Sequence, residues 1–326
     1  MRSPERKRTT ALVLAACLPL GVPGCMGPPD PTPLHLARFE FAGEQLGVEV
    51  RIVVYAEERA QAQDAARHAF LRIDQVERVA GDYSSISELR VLSGLAGGPW
   101  VPAGDDLFTM LDKALELAAD SDGAFDPTVG PYLALWRESR RSRRLPPQAR
   151  LEAVRDQVGW QLVELDSRRQ LVRLRAASMR LDLGGLVRGF AADRALEVLA
   201  DRGVSCAMVD VGGDVVVGAE PPGRTGWRIP IPQPGPGEPG EIEISYAAVS
   251  TSGDRDEFVV IDGVRYAGTV DPRTGLGLTD RVLATVVAED GATADGLATA
   301  ARILGPERGR ALLAARGVQG WVRRTE

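Results

Sequence analysis

Apolar and polar residues alternate along residues 39–55, where Val48, Val50, Ile52 and Val54 occupy every second position. A period of two places successive side chains on opposite faces of an extended chain. The pattern therefore predicts one half-buried β-strand over this segment.

The apolar spacing then changes to three and four residues, which is the period of an amphipathic helix. Residues 60–79 and 105–119 both have this spacing. The second segment begins with Asp105 and Asp106, whose charge suits the positive end of a helix dipole. Two amphipathic helices are predicted here.

Further helices are predicted at residues 150–158, at 293–304, and from the glycine pair Gly184-Gly185 to Gly203, a residue suited to ending a helix. Short apolar runs between turn residues predict strands. These runs comprise residues 161–165, 171–174, 207–211, 215–217, 228–231, 246–251, 258–261 and 281–288.

Three segments between these elements are polar or rich in Pro and Gly. Residues 81–88 are predicted to form a polar turn, 137–150 a basic, solvated loop, and 232–240 a surface loop. Short turns such as Asp262-Gly263 favour antiparallel pairing of the strands that they join. The fold class expected is α+β, with mixed and largely antiparallel sheets packed against helices and a substrate cleft between them.

The composition limits the classes of function that are possible. The chain has 326 residues and 44% apolar side chains, enough for a large core without disulfides. Its net charge of −6 offers no general attraction for nucleic acid, so no nucleic-acid partner is expected. Three cysteines and two histidines supply neither a disulfide framework nor a zinc site.

The N-terminus is typical of an exported protein. Arg2, Arg6, Lys7 and Arg8 precede an apolar run over residues 11–22 that is too short for an ordinary membrane span. We expect a signal peptide over residues 1–25, a Pro-rich tether over 26–37 and one domain over 38–326.

The type of signal depends on which cysteine follows the apolar run. Gly24-Cys25 resembles the processing site of a bacterial lipoprotein, although Pro23 is a poor neighbour, and Cys17 has better preceding residues behind a very short apolar region. Ordinary secretion with Cys25 unmodified is the alternative. Localisation to the periplasmic side of the cell envelope, with a lipid anchor, is the expectation.

Two segments have residues suited to phosphate chemistry. Gly184-Gly185 at the start of a helix would leave backbone N–H groups open to an anion, and Arg188 would add positive charge one turn in. Close helix packing explains a glycine pair equally well.

Asp295 and Thr299 form the second candidate, because residues four apart project from the same face of a helix. A carboxylate and a hydroxyl are hard oxygen ligands suited to Mg²⁺, which completes its shell with phosphates. An exposed aspartate in a first helical turn is the alternative.

Six ordered segments resemble the ApbE family of flavin transferases, over about residues 46–309. They are Gly-Ala-Phe-Asp-Pro-Thr-Val-Gly-Pro (123–131, followed by Trp136), Asp-Leu-Gly-Gly with Gly-Phe-Ala-Ala-Asp (182–193), Val-Gly-Gly-Asp (211–214), Thr-Ser-Gly (251–253), Asp-Pro-Arg-Thr-Gly (271–275) and Ala-Asp-Gly-Leu-Ala-Thr (294–299).

The resemblance implies an enzyme that uses FAD as substrate and a divalent metal, Mg²⁺, to attach FMN to a threonine of an acceptor protein with release of AMP. With export, it implies a membrane or periplasmic electron-transfer protein as acceptor. The implied metal contacts are Gly185, Asp295, Ala298 and Thr299. The implied flavin contacts are Leu46, Tyr83, Ala124, Phe125, Asp126, Asp182, Arg188 and Thr269, of which Tyr83 would stack on a flat ring.

Two positions depart from the family pattern. Arg188 stands where the family usually has lysine, and Gly268 stands where the family has the histidine that would serve as general base. Loss of a positioned base costs about 10²- to 10⁴-fold in rate. Two alternatives therefore accompany the transferase: an FAD pyrophosphatase with water as acceptor, and a non-catalytic flavin-binding lipoprotein.

Overall fold

The computed structural model describes residues 35–81, 86–253 and 258–325. The strands are β1 (Ala37–Gln45), β2 (Val48–Ala56), β3 (Val101–Pro102), β4 (Val163–Asp166), β5 (Leu171–Leu174), β6 (Ala207–Val211), β7 (Asp214–Val217), β8 (Trp227–Pro230), β9 (Glu241–Ile244), β10 (Ala247–Ser252), β11 (Phe258–Ile261), β12 (Val264–Ala267), β13 (Val270–Asp271), β14 (Leu276–Gly277), β15 (Val282–Ala288) and β16 (Gln319–Arg324).

The helices are α1 (Arg59–Ala80), α2 (Glu88–Gly94), α3 (Asp105–Asp120), α4 (Gly130–Ser142), α5 (Gln148–Val154), α6 (Val187–Asp201) and α7 (Gly291–Ala315). Among the described helices, none is both long and apolar enough to span a membrane. The predicted signal peptide, with Cys17 and Cys25, and most of the tether lie outside the described residues.

The main sheet has seven strands in the order β1-β2-β6-β7-β10-β15-β16, and each neighbouring pair is antiparallel. Four small antiparallel sheets flank it: β11-β12, β13-β14, β3-β5-β4 and β8-β9. The largely antiparallel α+β fold that the sequence predicts is therefore confirmed.

The two faces of the main sheet are covered differently. Val50, Ile52 and Val54 of β2 belong to the large core beneath α1, α6 and α7. Val53 points the other way, into a smaller apolar cluster with Trp227 of β8. The alternation in the sequence thus reflects two apolar faces of unequal extent.

The prediction of one strand over residues 39–55 is wrong, because the segment is the hairpin of β1 and β2. Leu46 and Gly47 form its turn with φ of +53° and +70°, and Gln45 pairs with Val48 across it. Two consecutive positive φ values characterise the tight turns whose twist matches that of antiparallel strands.

The predicted basic loop over residues 137–150 is also wrong in its first part, since residues 137–142 complete α4. The buried face of this helix, with Tyr132, Leu135 and Trp136, lies mainly before the arginines. The helix ends at Arg143, which has a left-handed conformation. The run of charged residues obscured the helical spacing of the apolar residues that precede it.

Most other predicted elements are confirmed within a few residues, whereas α2, β3, β9, β12, β13, β14 and β16 were not predicted. The helix predicted over 293–304 extends to Ala315 with a break at Gly305, whose φ is +79°, followed by Pro306. The helix predicted over 150–158 is α5 followed by a 3₁₀ turn. Of the predicted turn at 81–88, residues 82–85 lie outside the described residues.

Candidate active site

A cleft of about 960 Å³ opens beside the main sheet. The hairpin turn at Leu46, the loop that precedes α4, the start of α6 and the connection between β12 and β13 all contribute to its walls. Nine of the residues singled out from the sequence line this one cleft: Leu46, Ala124, Phe125, Asp126, Asp182, Gly185, Arg188, Thr269 and Thr299. Tyr83 lies outside the described residues.

Arginines outnumber carboxylates on the described part of the cleft wall, although the whole chain is acidic. The charged residues that the structure describes there are five arginines and three carboxylates: Arg137, Arg140, Arg188, Arg281, Arg302, Glu77, Asp126 and Asp182. A concave, partly dry surface focuses the field of such charges. The cleft therefore suits an anionic ligand.

The turn before α6 brings backbone close to the cleft. The N–H of Gly184 donates to Oδ1 of Asp182 at 2.9 Å. This amide is therefore not open to an anion, contrary to the expectation from the sequence. A Cβ at Gly185 would lie 3.0 Å from the Phe125 ring and 3.2 Å from Cγ2 of Thr299. Glycine thus allows three segments to meet here.

Arg188 is the second residue of α6 rather than one turn in, and its guanidinium is anchored. Its Nε lies 2.9 Å from Oδ2 of Asp214, while the hydroxyl of Ser250 donates to Oδ1 of the same carboxylate. Asp214 is 2% exposed. Burial raises the pKa of Asp214, and the charge of Arg188 opposes this rise. Arg188 therefore presents a fixed cation to the cleft.

Sequence reasoning singled out the segments that contain Asp214 and Ser250 but gave these residues no role. The available signal was the recurrence of Val-Gly-Gly-Asp and Thr-Ser-Gly in one family pattern. It could not show that the two segments bind each other.

Asp295 is buried at the interface of α6 and α7, with 2% of its surface exposed. The exposed first-turn aspartate is therefore ruled out. Its Oδ2 accepts the N–H of Gly189 at 3.3 Å. Burial raises the pKa of Asp295 well above its usual range, the nearby Asp214 adds to this rise, and Arg188 opposes it.

Thr299 lies one turn further along α7 and lines the cleft. Its Oγ1 is 3.5 Å from the carbonyl oxygen of Gly185. Ala298, next to Thr299, is fully buried. Asp295 and Ala298 are not among the described residues on the cleft wall.

These oxygens fit a hard divalent cation. The described residues contain no cluster of three or more His, Cys, Asp or Glu side chains, so a dedicated carboxylate cage is not built here. Instead, the hydroxyl of Thr299 lies near the carbonyl of Gly185 on the cleft wall, and Asp295 lies one helical turn before Thr299 on α7. That mixed set is typical of Mg²⁺ sites that also use substrate phosphates.

Asp126 organises the loop in front of α4. Its Oδ1 accepts the N–H and the hydroxyl of Thr128 at 2.8 and 2.6 Å, and its Oδ2 accepts the N–H of Trp160 at 3.2 Å. Burial raises the pKa of Asp126 despite these bonds. The neighbours Ala124 and Phe125 are held against the cleft by this loop.

Thr269 is positioned by a buried arginine that sequence reasoning missed. Nη1 of Arg302 donates to Oγ1 of Thr269 at 2.9 Å and to the carbonyl of Gly253 at 2.8 Å. Gly268 also lines the cleft, whereas neither His35 nor His68 does. His68 is hydrogen-bonded through Nδ1 to the backbone oxygen of Asp64 in α1. No histidine among the described residues replaces the one absent at position 268.

Comparisons with known proteins show which family this chain matches. The model of the ApbE family matches residues 46–322. An FAD:protein FMN transferase of Treponema pallidum (strain Nichols) is 30% identical over 315 residues, which cover 91% of this chain and 86% of that protein.

Solved structures agree with these sequence matches. The apo form of the flavinyl transferase ApbE of Pseudomonas stutzeri superimposes with a TM-score of 0.78 at 26% identity, covering 89% of this chain and 95% of that one. The ApbE protein of Thermotoga maritima gives a TM-score of 0.78 at 28% identity, covering 89% and 97%. The family match includes every described residue of the cleft wall except Thr325.

Proposed function

Because the chain belongs to the ApbE family, we propose that it transfers FMN from FAD to a threonine hydroxyl of an acceptor protein, with Mg²⁺ as cofactor. The observation that carries this proposal is the convergence of Gly185, Thr299 and the anchored Arg188 on one cationic cleft. In the reaction, the hydroxyl oxygen bonds to the phosphorus of the FMN moiety, the bond from this phosphorus to the bridging oxygen breaks so that AMP leaves, and the hydroxyl proton passes to solvent.

The residues of the cleft have different proposed roles. Arg188, held by Asp214, would bind the phosphates and hold their position, since a charge that is already fixed needs no reorganisation during transfer. Phe125 and Leu46 supply apolar surface for a flat ring. Arg137 lies 3.7 Å from Asp182 and adds charge at the wall.

Gly185, Asp295, Ala298 and Thr299 are the proposed metal contacts. A bound Mg²⁺ would neutralise phosphate charge and favour nucleophilic attack at phosphorus. The buried carboxylate of Asp295 supports this assignment, because burial and the nearby Asp214 raise its pKa, and a bound cation would favour its ionised form.

The absence of a histidine at position 268, where the chain has Gly268, supports a second candidate function, the hydrolysis of FAD to FMN and AMP. The carboxylates on the described cleft wall are Glu77, Asp126 and Asp182, and Asp126 already accepts three hydrogen bonds. Water as acceptor needs no base that is matched to a protein hydroxyl.

Incubation of the purified protein with FAD, Mg²⁺ and a threonine-containing peptide from an envelope electron-transfer protein distinguishes these activities. Transfer gives flavin fluorescence on the peptide and AMP in solution. Free FMN without labelled peptide indicates hydrolysis. Bound FAD with neither product would contradict both and leave a flavin-binding protein.

Two variants test the site assignments. Asp295→Asn should lower the rate and the affinity for Mg²⁺ measured by calorimetry, each by about tenfold or more, whereas Asp201→Asn, an exposed carboxylate on α6, should change neither. Gly268→His should raise transfer to the peptide if the missing histidine limits the rate.

We further propose that the protein acts on the periplasmic side of the cell envelope on an electron-transfer protein. The basic residues before the apolar run at 11–22 and the cysteine that follows it support this location. Mass spectrometry of the mature N-terminus should find a lipidated cysteine at Cys25 or Cys17; an unmodified N-terminus beyond residue 25 would contradict the anchor.

A further inference from the structure

Two arginines fix the segment from β12 to β14 (residues 264–277) against α7. Nη1 of Arg302 on α7 donates to Oγ1 of Thr269 in this segment at 2.9 Å. Arg273 pairs with Asp271 at 2.8 Å, and its Nη2 donates to the carbonyl oxygen of Ile303 at 3.3 Å. The segment is therefore held at two consecutive residues of α7, Arg302 and Ile303.

The backbone of Thr269 is fixed as well. Its carbonyl oxygen accepts the N–H of Leu278 at 3.0 Å, and the N–H of Ala267 donates to the carbonyl oxygen of Leu278 at 2.7 Å. Gly268 and Val270, the neighbours of Thr269 in the chain, also line the cleft but have no polar side chain. Thr269 therefore supplies the polar side chain at this part of the cleft wall.

The direction of the hydrogen bond between Arg302 and Thr269 is unambiguous. A guanidinium has donors and no acceptor, so the hydroxyl oxygen of Thr269 must accept. Within residues 35–81, 86–253 and 258–325, Arg302 is the one hydrogen-bond partner of this hydroxyl. The hydroxyl hydrogen points away from Nη1, and because Thr269 lines the cleft, a ligand in the cleft can accept it.

Burial keeps this arrangement in place. Arg302 is 3% exposed, and the same Nη1 also donates to the carbonyl oxygen of Gly253 at 2.8 Å. Nη1 cannot turn away from Thr269 without losing both bonds. A hydrogen bond from a charged donor is stronger than a neutral one, and it polarises the hydroxyl so that the hydroxyl becomes a better donor itself.

We infer that Arg302 is a positioning residue that makes Thr269 a hydrogen-bond donor to an oxygen atom of FAD. The inference rests on the proposed function, which places FAD in this cleft. The carbonyl oxygens of the flavin ring and the phosphate oxygens are both acceptors that a polarised hydroxyl binds. Arg302 thus favours a ligand that presents an acceptor at this wall of the cleft.

Single substitutions test each partner by fluorescence titration with FAD in the presence of Mg²⁺. Thr269→Val keeps the shape of the side chain but removes the donor, and it should raise the dissociation constant about tenfold. Thr269→Ser keeps the hydroxyl and should stay within about threefold of wild type. Arg302→Met should also weaken binding about tenfold, whereas Arg308→Met, an exposed residue of the same helix, should change nothing.

The double variant Arg302→Met/Thr269→Val tests whether the arginine acts through the threonine. If it does, the double variant should bind FAD about tenfold more weakly than wild type, because residues that act as one unit are not additive. A loss of about a hundredfold, the product expected of independent residues, would overturn the positioning role. If Arg302→Met does not fold, Thr269→Val still decides the matter, since unchanged FAD binding by this variant contradicts the inference.

Two fragments of FAD identify the acceptor atom. Riboflavin has the flavin ring without phosphate, and ADP has the pyrophosphate without the flavin ring. Calorimetry should show that Thr269→Val weakens the binding of riboflavin if a ring carbonyl accepts, or of ADP if a phosphate oxygen accepts. A variant that binds both fragments as tightly as wild type would disprove the contact, whereas a merely structural defect would weaken both equally and would persist in Thr269→Ser.

These measurements are independent of the transfer reaction. If FAD and its fragments bind with the expected pattern but no peptide is labelled, the proposed transfer fails and the inference stands. If peptide is labelled and Thr269→Val has the same KM for FAD as wild type, the inference is wrong and the transferase function stands.

Discussion

Asp214 uses its two carboxylate oxygens for two partners, the Ser250 hydroxyl and the Arg188 guanidinium. A buried carboxylate is stable only when it is paired and hydrogen-bonded. Because Arg188 remains one-third exposed to the cleft, the pair converts a flexible surface arginine into a fixed one.

Asp214→Asn should therefore weaken FAD binding by about tenfold, because Arg188 loses its anchor while the shape of the side chain is kept. Flavin fluorescence titration measures the change. Asp210→Asn, in the same turn but paired with Arg51 instead, should stay within about twofold of wild type. Equal effects of the two substitutions would contradict the positioning role.

Asp193 makes stability depend on pH. Its oxygens accept the N–H groups of Gly291 and Ala292 at 2.6 and 3.0 Å, yet burial raises its pKa to about 7. In the unfolded chain, the pKa of an aspartate is about 3.9. The folded protein therefore holds a proton between these values that the unfolded chain releases.

The contribution of Asp193 to stability is thus complete below about pH 4 and is lost as the pH rises to about 7, a change on the order of 4 kcal/mol. Urea denaturation of wild type and Asp193→Asn at a series of pH values measures it. The stability of wild type relative to the variant should fall over this range, and a constant difference would show that Asp193 is ionised throughout.

Among the elements, the packing of α6 on α7 sets the geometry of the proposed metal site. A Cβ at Gly189 would lie 2.0 Å from the carbonyl oxygen of Gly291, so the two helices approach at their backbones. The same approach lets the N–H of Gly189 reach Asp295. The register of one helix on the other therefore determines how Asp295 meets Gly189 and how Thr299 meets Gly185.

Gly189→Ala should destabilise the protein by about 3 kcal/mol through overpacking and should weaken Mg²⁺-dependent FAD binding. Gly94→Ala is the matched control, since Gly94 ends α2 and a methyl group there would meet no atom within 4 Å. That substitution should stabilise by about 0.5 kcal/mol. Urea denaturation compares them, and a Gly189 variant as stable as wild type would disprove the close contact.

Across the whole molecule, the cleft draws its walls from Leu46 near one end of the described chain to Thr325 at the other. Ligand binding therefore engages the large core, the loop before α4 and the last strands together. Stabilisation by a ligand should be shared by all of them.

FAD with Mg²⁺, at about a hundredfold excess over its dissociation constant, should raise the free energy of unfolding by about 2.7 kcal/mol. Calorimetry should show one transition moving to higher temperature. If the calorimetric trace instead showed two transitions and only one moved to higher temperature, part of the molecule would unfold independently of the cleft.

Local spacing of side chains was enough to predict most elements, and the resemblance of six ordered motifs was enough to identify the family. The helical period of α1 and α3 and the short strands that follow could be predicted because they depend on side-chain spacing within a few turns. The β1-β2 hairpin and α4 escaped prediction, because an uninterrupted alternation masked a turn and a charge run masked a helix.

Which residues act together depends on the packed fold. Gly189 and Asp295 are 106 positions apart in the sequence. No local sequence pattern predicts that they are in contact. Burial of Asp295, anchoring of Arg188 by Asp214 and positioning of Thr269 by Arg302 all require segments that only the packed core brings together. Chemistry-bearing residues can be identified from local sequence, but their pKa values, partners and access to a ligand follow from long-range packing.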